Sequence, residues 1–145
     1  MTEKLEYFMW EALREGRKAL PNCLPNPPVG CVLVRDQDII ARGYTNQPGA
    51  DHAEAMALRQ ISGDLSDVKA FVTLEPCSFH GRTPSCAKAF VSRKIEKVYV
   101  AMLDPDPRNN GLGIALLEQA GIAVSVGLLQ REAELDIGRY LWKTK

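Results

Sequence analysis

The chain has 145 residues, enough for one domain with a single core and too few for two ordinary ones. Its 18 basic and 18 acidic residues cancel, so it lacks the basic excess typical of nucleic-acid-binding proteins, and we expect no nucleic-acid partner. The charged N-terminal segment and the absence of any run of about 18 apolar residues argue against an export signal and a membrane partner, so we expect a cytoplasmic protein.

The first part of the chain predicts a helix, a proline-rich loop and a hairpin. Apolar residues recur at three-four spacing over residues 5–20, which indicates an amphipathic helix. In the loop over 21–28, Asn26 stands between prolines, a position typical of a turn residue. Its amide could also read the edge of a heterocycle, since it both donates and accepts. Two apolar runs, 29–34 and 39–44, flank a polar turn and predict a β-hairpin.

Helices and strands alternate from residue 52 onwards. The expected strands cover 69–74, 96–103 and 122–127, and the expected helices begin near residues 52, 85, 112 and 130, the last running from Gln130 to Trp142. Strands that alternate with helices pair in parallel through right-handed crossovers. We therefore expect one α/β domain over residues 1–145, with a mixed five-stranded sheet and helices on both faces.

Three metal-binding side chains and one carboxylate occur in two separate motifs. His52 and Glu54 lie in the first turn of the second helix, Cys77 directly follows a strand, and Cys86 starts the next helix. One imidazole and two thiolates form the three-ligand set of a catalytic zinc site, which keeps a fourth position for water. Zinc lowers the pKa of that water from about 15.7 to roughly 7, and Glu54 could move the protons.

Two other interpretations of these residues stay open. Isolated His and Cys residues are more often packing or surface residues than ligands. A structural zinc site would close its shell with a fourth Cys or His, and His80, between the two cysteines, is the candidate. Cys31 lies in an apolar strand pattern and is expected in the core. The ordered set of ligands favours a metal site, and Glu54 favours catalysis because a structural site needs no proton carrier.

The motifs resemble those of a known enzyme family. His52-Ala-Glu54 followed by Pro76-Cys77 and Cys86 resembles the signature of zinc-dependent deaminases, although eight residues instead of two separate the cysteines. Together with Pro25-Asn-Pro27, Gly81-Arg-Thr-Pro84 and Asp104-Pro-Asp-Pro107, the pattern resembles the RibD-type deaminases of riboflavin biosynthesis. The resemblance implies a cytidine-deaminase-like three-layer α/β/α sandwich. It also implies a small-molecule substrate, a diaminohydroxy-phosphoribosylamino-pyrimidinone, from which ammonia is released.

The resemblance also implies roles for individual residues. It assigns zinc to His52, Cys77 and Cys86 and proton transfer to Glu54, and the candidate substrate contacts are Asn26, Thr45, Arg82, Asp104 and Asn110. Arg82 stands where the family has a basic residue near the phosphoribosyl tail, although it could equally be a solvated loop arginine. The resemblance further implies a homo-oligomer. We expect a stand-alone deaminase domain, with a separate reductase as the candidate partner acting next in the pathway.

Two parts of the chain depart from the family pattern. Thr45 stands where the family commonly has a substrate-holding histidine, and residues 108–110, Arg-Asn-Asn, replace a small apolar run. These changes bear on the substrate more than on the reaction. One alternative is therefore a deaminase of another nucleoside, nucleotide or free base. An alternative of a different class is a non-catalytic, zinc-stabilised module that binds another subunit.

Overall fold

The structure, a computed structural model, describes residues 2–78 and 85–141. In this part of the chain a helix and a β-hairpin precede an alternating series of helices and strands. The elements are α1 (Thr2–Arg17), β1 (Gly30–Arg35), β2 (Asp38–Tyr44), α2 (Ala53–Leu58), β3 (Lys69–Leu74), α3 (Cys86–Ser92), β4 (Lys97–Met102), α4 (Leu112–Gln119), β5 (Ala123–Val126), α5 (Gln130–Ile137) and a 3-10 helix, Gly138–Tyr140.

The strands form one mixed sheet in the order β2-β1-β3-β4-β5. β1 pairs antiparallel with both β2 and β3, whereas β3, β4 and β5 are parallel. Asp36 and Gln37 take positive φ values of 49° and 73° in the hairpin turn, the backbone of a tight two-residue connection. The predicted hairpin and the predicted parallel pairing of the later strands are both confirmed.

Helices cover both faces of this sheet, which explains why β1, β3 and β4 are almost entirely buried. α1 packs on β1, β2 and β3 and touches α5, which lies on β4. On the other face α2 packs on β1 and β2, and α3 contacts α2 and α4. Strands buried on both faces need continuous apolar sequence instead of alternation, and their sequences have it. The predicted α/β fold with a mixed five-stranded sheet is thereby confirmed.

The C-terminal helix is shorter than the sequence predicts. The amphipathic pattern indicated a helix from Gln130 to Trp142, but α5 ends at Ile137 and a 3-10 helix follows it. Gly138 is the C-cap of α5, and glycine costs about 1 kcal/mol relative to alanine inside a helix. The prediction ran too far because apolar residues continue at helical spacing beyond Gly138, a residue that favours the end of a helix. None of the helices in residues 2–78 and 85–141 is long and apolar enough to cross a bilayer.

Gly43 in β2 lets α2 lie directly on the sheet. A Cβ atom at this position would overlap the carbonyl oxygen of Ala53 and lie 2.8 Å from the amide nitrogen of Ala57. Both atoms belong to the backbone of α2, which cannot yield as a flexible side chain would. The sheet therefore sets the position of the helix that begins beside His52.

We expect Gly43→Ala to lower the free energy of unfolding by about 3 kcal/mol, because the added methyl group must push α2 away. Gly138→Ala is the matched control, since a Cβ atom there meets nothing within 4 Å. Its free energy of unfolding should change by about 1 kcal/mol or less. Denaturant titration of both variants measures the difference, and equal effects would contradict this packing.

Candidate active site

His52 and Glu54 are held at the N-terminal end of α2. His52 is the N-cap residue in extended conformation, with φ −72° and ψ 166°, and Glu54 lies in the first turn. Residues two apart do not share a helix face, so their side chains diverge. His52 is partly exposed, whereas Glu54 is only 4% exposed. The turn thus presents an imidazole and a buried carboxyl group in different directions.

Cys77 and Cys86 are brought together by the start of α3. Ser85, the N-cap of α3, accepts a hydrogen bond from the Lys88 amide at 3.2 Å. Its hydroxyl also donates to the Cys77 carbonyl at 2.7 Å. The Cys86 amide donates to Cys77 Sγ at 3.3 Å. A helix cap therefore also joins the two ends of the segment that separates the cysteines.

The three predicted metal ligands form one cluster. His52 Nδ1 lies 3.8 Å from Cys77 Sγ and 3.5 Å from Cys86 Sγ, and one ligand atom from each residue lies within 4.8 Å of the others. A tetrahedral zinc ion with bonds of about 2.0 to 2.3 Å holds its ligands roughly 3.5 Å apart. Both cysteines are free thiols. The donor set and its spacing fit zinc.

Hydrogen bonding makes one of the two thiols acidic. The hydrogen bond with Cys86 lowers the pKa of Cys77, and contact with His52 lowers it further, against the effect of burial. Conversely, the hydrogen bond with Cys77 raises the pKa of Cys86, and so does burial. The contact with Cys77 raises the pKa of His52. A divalent cation bound here would release protons from the thiols, since thiolates and not thiols bind metals.

Glu54 lies in a different electrostatic environment. Burial raises the pKa of its carboxyl group to about 7, although the charge of His52 opposes this effect. A carboxyl group whose pKa lies near the working pH can both accept and release a proton. The environment of Glu54 therefore suits the proton-transfer role predicted from its position after His52.

A cavity of about 450 Å³ opens beside the cluster. This volume falls within the range of roughly 300 to 1,000 Å³ that small-molecule sites occupy. Residues of both motifs and of three loops line it: Asn26, Pro27, Val29, Thr45, Gly49, His52, Ala53, Glu54, Leu74, Glu75, Cys77, Asp104, Asp106 and Arg108. A potential metal cluster, a buried carboxyl group and a space of substrate size thus meet at one end of the sheet.

Comparison with known proteins agrees with this geometry. Residues 2–102 match the family described as the cytidine and deoxycytidylate deaminase zinc-binding region. The chain belongs to this deaminase family. Zinc is the metal of the family, in agreement with the donor set of the cluster. The fold is that of the cytidine-deaminase-like proteins, as the sequence resemblance implied.

Several relatives of this deaminase are named for riboflavin biosynthesis or are RibD structures. Riboflavin biosynthesis protein RibD of Escherichia coli (strain K12) is 45% identical over 129 residues, which are 89% of this chain and 35% of the relative. The structure of Acinetobacter baumannii RibD (form 2) has a TM-score of 0.93 and 39% identity, covering 97% of this chain and 40% of that one. The resemblance to RibD-type deaminases is confirmed.

A third relative is named for the two reactions it catalyses. The Thermotoga maritima diaminohydroxyphosphoribosylaminopyrimidine deaminase/5-amino-6-(5-phosphoribosylamino)uracil reductase has a TM-score of 0.89 and 36% identity. The match covers 96% of this chain and 40% of that one. The chain therefore spans about two fifths or less of the length of these relatives.

The predicted substrate contacts of the deaminase divide into three groups. Asn26, Thr45 and Asp104 line the cavity. Arg82, like the alternative metal ligand His80, lies outside the residues that the structure describes. Asn110 is exposed and does not line the cavity. It follows Asn109 in a turn where both amides bond to the Asp106 carbonyl, so the two side chains point in different directions.

The Thr45 hydroxyl already makes two hydrogen bonds within the protein. Its hydroxyl accepts from the Val29 amide at 3.0 Å and donates to the Val29 carbonyl at 3.4 Å. The residue is 6% exposed. Because the hydroxyl is engaged with the loop that precedes β1, Thr45 contributes mainly the shape of the wall at this point.

Glu75 is a buried carboxylate for which sequence analysis predicted no role. Its Oε1 accepts from the amides of Asp104 and Gly111 at 3.1 and 3.0 Å. Its Oε2 accepts from the Ile114 amide at 3.2 Å. Two of these amides lie at the N-terminal end of α4, where unpaired N–H groups favour a negative charge. Glu75 thereby joins the loop that carries Cys77 to the loop that carries Asp104.

Proposed function

We propose that this protein is a zinc-dependent hydrolytic deaminase whose substrate is the diaminohydroxyphosphoribosylaminopyrimidine named for the T. maritima relative. The observation that carries the proposal is the cluster of His52, Cys77 and Cys86 beside a cavity that Glu54 also lines. A zinc-stabilised module without catalytic activity would not need a buried carboxyl group at the cavity wall. The family assignment supports the same reaction class.

His52, Cys77 and Cys86 would hold the zinc ion. When bound, zinc lowers the pKa of a water molecule from about 15.7 to roughly 7 and so supplies a nucleophile at neutral pH. Glu54 accepts the proton of the attacking water and passes it to the ring nitrogen next to the reacting carbon. Glu54 then takes the proton of the hydroxyl group that has been added to the carbon and delivers it to the amino group, so that a carbonyl forms as the carbon–nitrogen bond breaks and ammonia leaves.

The cavity wall suits a substrate with many N–H donors. The Asp104 carboxylate accepts hydrogen bonds from the Asp106 amide and the Asn109 side chain, and each of its oxygens has further capacity to accept. Asn26 offers both a donor and an acceptor. We assign these two side chains to the amino-pyrimidine ring and Arg82 to the phosphate. We assign no substrate contact to Asn110.

A second substrate class is supported by Thr45. The family's histidine at this position holds substrate, whereas the Thr45 hydroxyl is engaged by Val29. The cavity wall therefore lacks both the volume of an imidazole and the hydrogen bond that it would make to the substrate. This difference favours, as the alternative, another amino-pyrimidine or amino-purine nucleoside, nucleotide or base.

The test is ammonia release from the phosphorylated diaminopyrimidine, compared with cytidine, deoxycytidylate and guanine, by the zinc-loaded protein. We expect kcat/KM to be at least about 100-fold higher for the diaminopyrimidine, because a site built around buried polar groups rejects substrates that leave them unpaired. A preference for one of the other substrates would transfer the assignment to it. No release from any of them would contradict the deaminase proposal.

The remaining assignments rest on the family resemblance and, for the location, on the sequence pattern. We propose that the protein is cytoplasmic and homo-oligomeric and that a reductase consumes its product. The T. maritima relative is named for both activities, which supports coupling of the two steps. Light scattering of the purified protein measures the oligomeric state.

A further inference from the structure

Asn109 is a fully buried polar residue, 0% exposed, beside the candidate active site. Its Oδ1 accepts a hydrogen bond from the Ser78 amide at 2.9 Å. Its Nδ2 donates to the Pro76 carbonyl at 3.3 Å and to Asp104 Oδ2 at 3.4 Å. The carboxamide thus uses its acceptor and both of its donors inside the protein.

Two of these bonds hold the backbone on either side of Cys77. Pro76 precedes that residue and Ser78 follows it, and one presents a carbonyl to Asn109 while the other presents an amide. A single carboxamide can satisfy both, whereas a carboxylate lacks the donor and an aliphatic side chain lacks both groups. The Pro76 carbonyl is buried and the Ser78 amide is partly buried, so leaving either unpaired would be costly.

The third bond reaches the substrate side of the cavity. Asp104 lines the cavity, and of its two oxygens Oδ2 is the one that faces Asn109. Its other oxygen accepts from the Asp106 amide at 3.0 Å. The Asp104 carboxylate is therefore fixed from two directions. Glu75 also joins these two loops, but through backbone amides, so it does not orient the Asp104 carboxylate.

We propose that Asn109 is a positioning residue that fixes Cys77 and the Asp104 carboxylate relative to each other, and so controls both zinc affinity and substrate affinity. It stands where the family resemblance led us to expect a small apolar residue, so this coupling is a feature of the present chain. The substrate half of the inference rests on the proposed function, through the role of Asp104. The metal half does not.

Two substitutions of Asn109 test its effect on zinc affinity and its effect on substrate affinity separately. Asn109→Leu keeps the branched shape of the side chain and makes none of the three hydrogen bonds. We expect its zinc affinity, measured by competition with a chelator, to fall roughly 10- to 100-fold, as for other residues that orient metal ligands. Asn109→Asp keeps the acceptor for the Ser78 amide but removes the donors and places a second carboxylate against Asp104. We expect its KM to rise at least about tenfold, with a smaller change in kcat and in zinc affinity.

Gln119→Glu is the matched control, because it makes the same amide-to-carboxylate change at an exposed position in α4. It should leave zinc affinity and KM within about twofold of the wild type. The inference is overturned if both Asn109 variants also keep zinc affinity and KM within about twofold, even if they unfold at lower temperature, because that pattern marks a purely structural residue.

Other outcomes are also decisive. If Asn109→Leu does not fold, the near-isosteric Asn109→Asp decides the question through its KM. If the wild-type protein binds zinc but deaminates none of the substrates, the proposed function fails. The zinc affinities of the Asn109 variants still test the metal half, since chelator competition needs no turnover.

Discussion

Replacement of Glu54 by glutamine is expected to lower kcat for ammonia release by about 100- to 10,000-fold, which is the contribution typical of a positioned general acid-base group. Glutamine has nearly the same shape but cannot accept the proton of the attacking water. Glu54 is 4% exposed and lines the cavity, so bulk solvent has little access to replace it as the base. Zinc content and KM should change much less than kcat, because the carboxyl group is assigned to proton transfer and not to the metal.

Steady-state ammonia release and metal analysis of Glu54→Gln measure these quantities together. Glu118→Gln, an exposed change of the same type in α4, is the control and should retain wild-type activity. If Glu54→Gln kept more than about a tenth of the wild-type kcat with its zinc in place, another group would have to carry the protons.

The second large effect is expected from Cys86→Ser, which should lose both zinc and activity. A serine hydroxyl stays protonated at neutral pH and is a poor replacement for a thiolate ligand. Cys86 is nearly inaccessible, and its sulfur lies 3.5 Å from His52 Nδ1. Without it the cluster would keep one sulfur and one imidazole, too few to retain zinc against a chelator.

Cys23→Ser is the matched control for this experiment. Cys23 is also a buried, free cysteine, but it does not belong to the His52, Cys77 and Cys86 cluster. We expect this variant to keep one zinc per chain, even though a buried hydroxyl lowers its stability. Full zinc occupancy in Cys86→Ser, or equal zinc loss from the two variants, would count against the assigned ligands. Atomic absorption after dialysis against a chelator distinguishes these results.

The sequence was informative where chemistry and periodicity act locally. The ligand types at His52, Cys77 and Cys86 restrict the possible site strongly, because few other combinations give a three-ligand zinc centre. Long apolar runs predicted the central strands, since burial on both faces requires them. The order of helices and strands then predicted that the two motifs lie at the same end of the sheet.

The sequence was uninformative where a side chain acts across a large separation along the chain. Glu75 bonds to amides 36 and 39 residues away, and no local pattern indicates such partners. Of the adjacent Asn109 and Asn110, we predicted the second as a substrate contact, but the turn directs the first inward. Turn geometry of this kind depends on packing that periodicity does not contain.

Zinc K-edge X-ray absorption on the purified protein, with metal analysis, tests the central claim most directly. We predict one zinc per chain, bound by two sulfur atoms at about 2.3 Å and by nitrogen or oxygen ligands at about 2.0 to 2.1 Å. Cys77→Ser and Cys86→Ser, prepared in the same way, should retain too little zinc to give this sulfur signal. A metal shell without sulfur, or one with more than two sulfur ligands, would contradict the assignment of His52, Cys77 and Cys86.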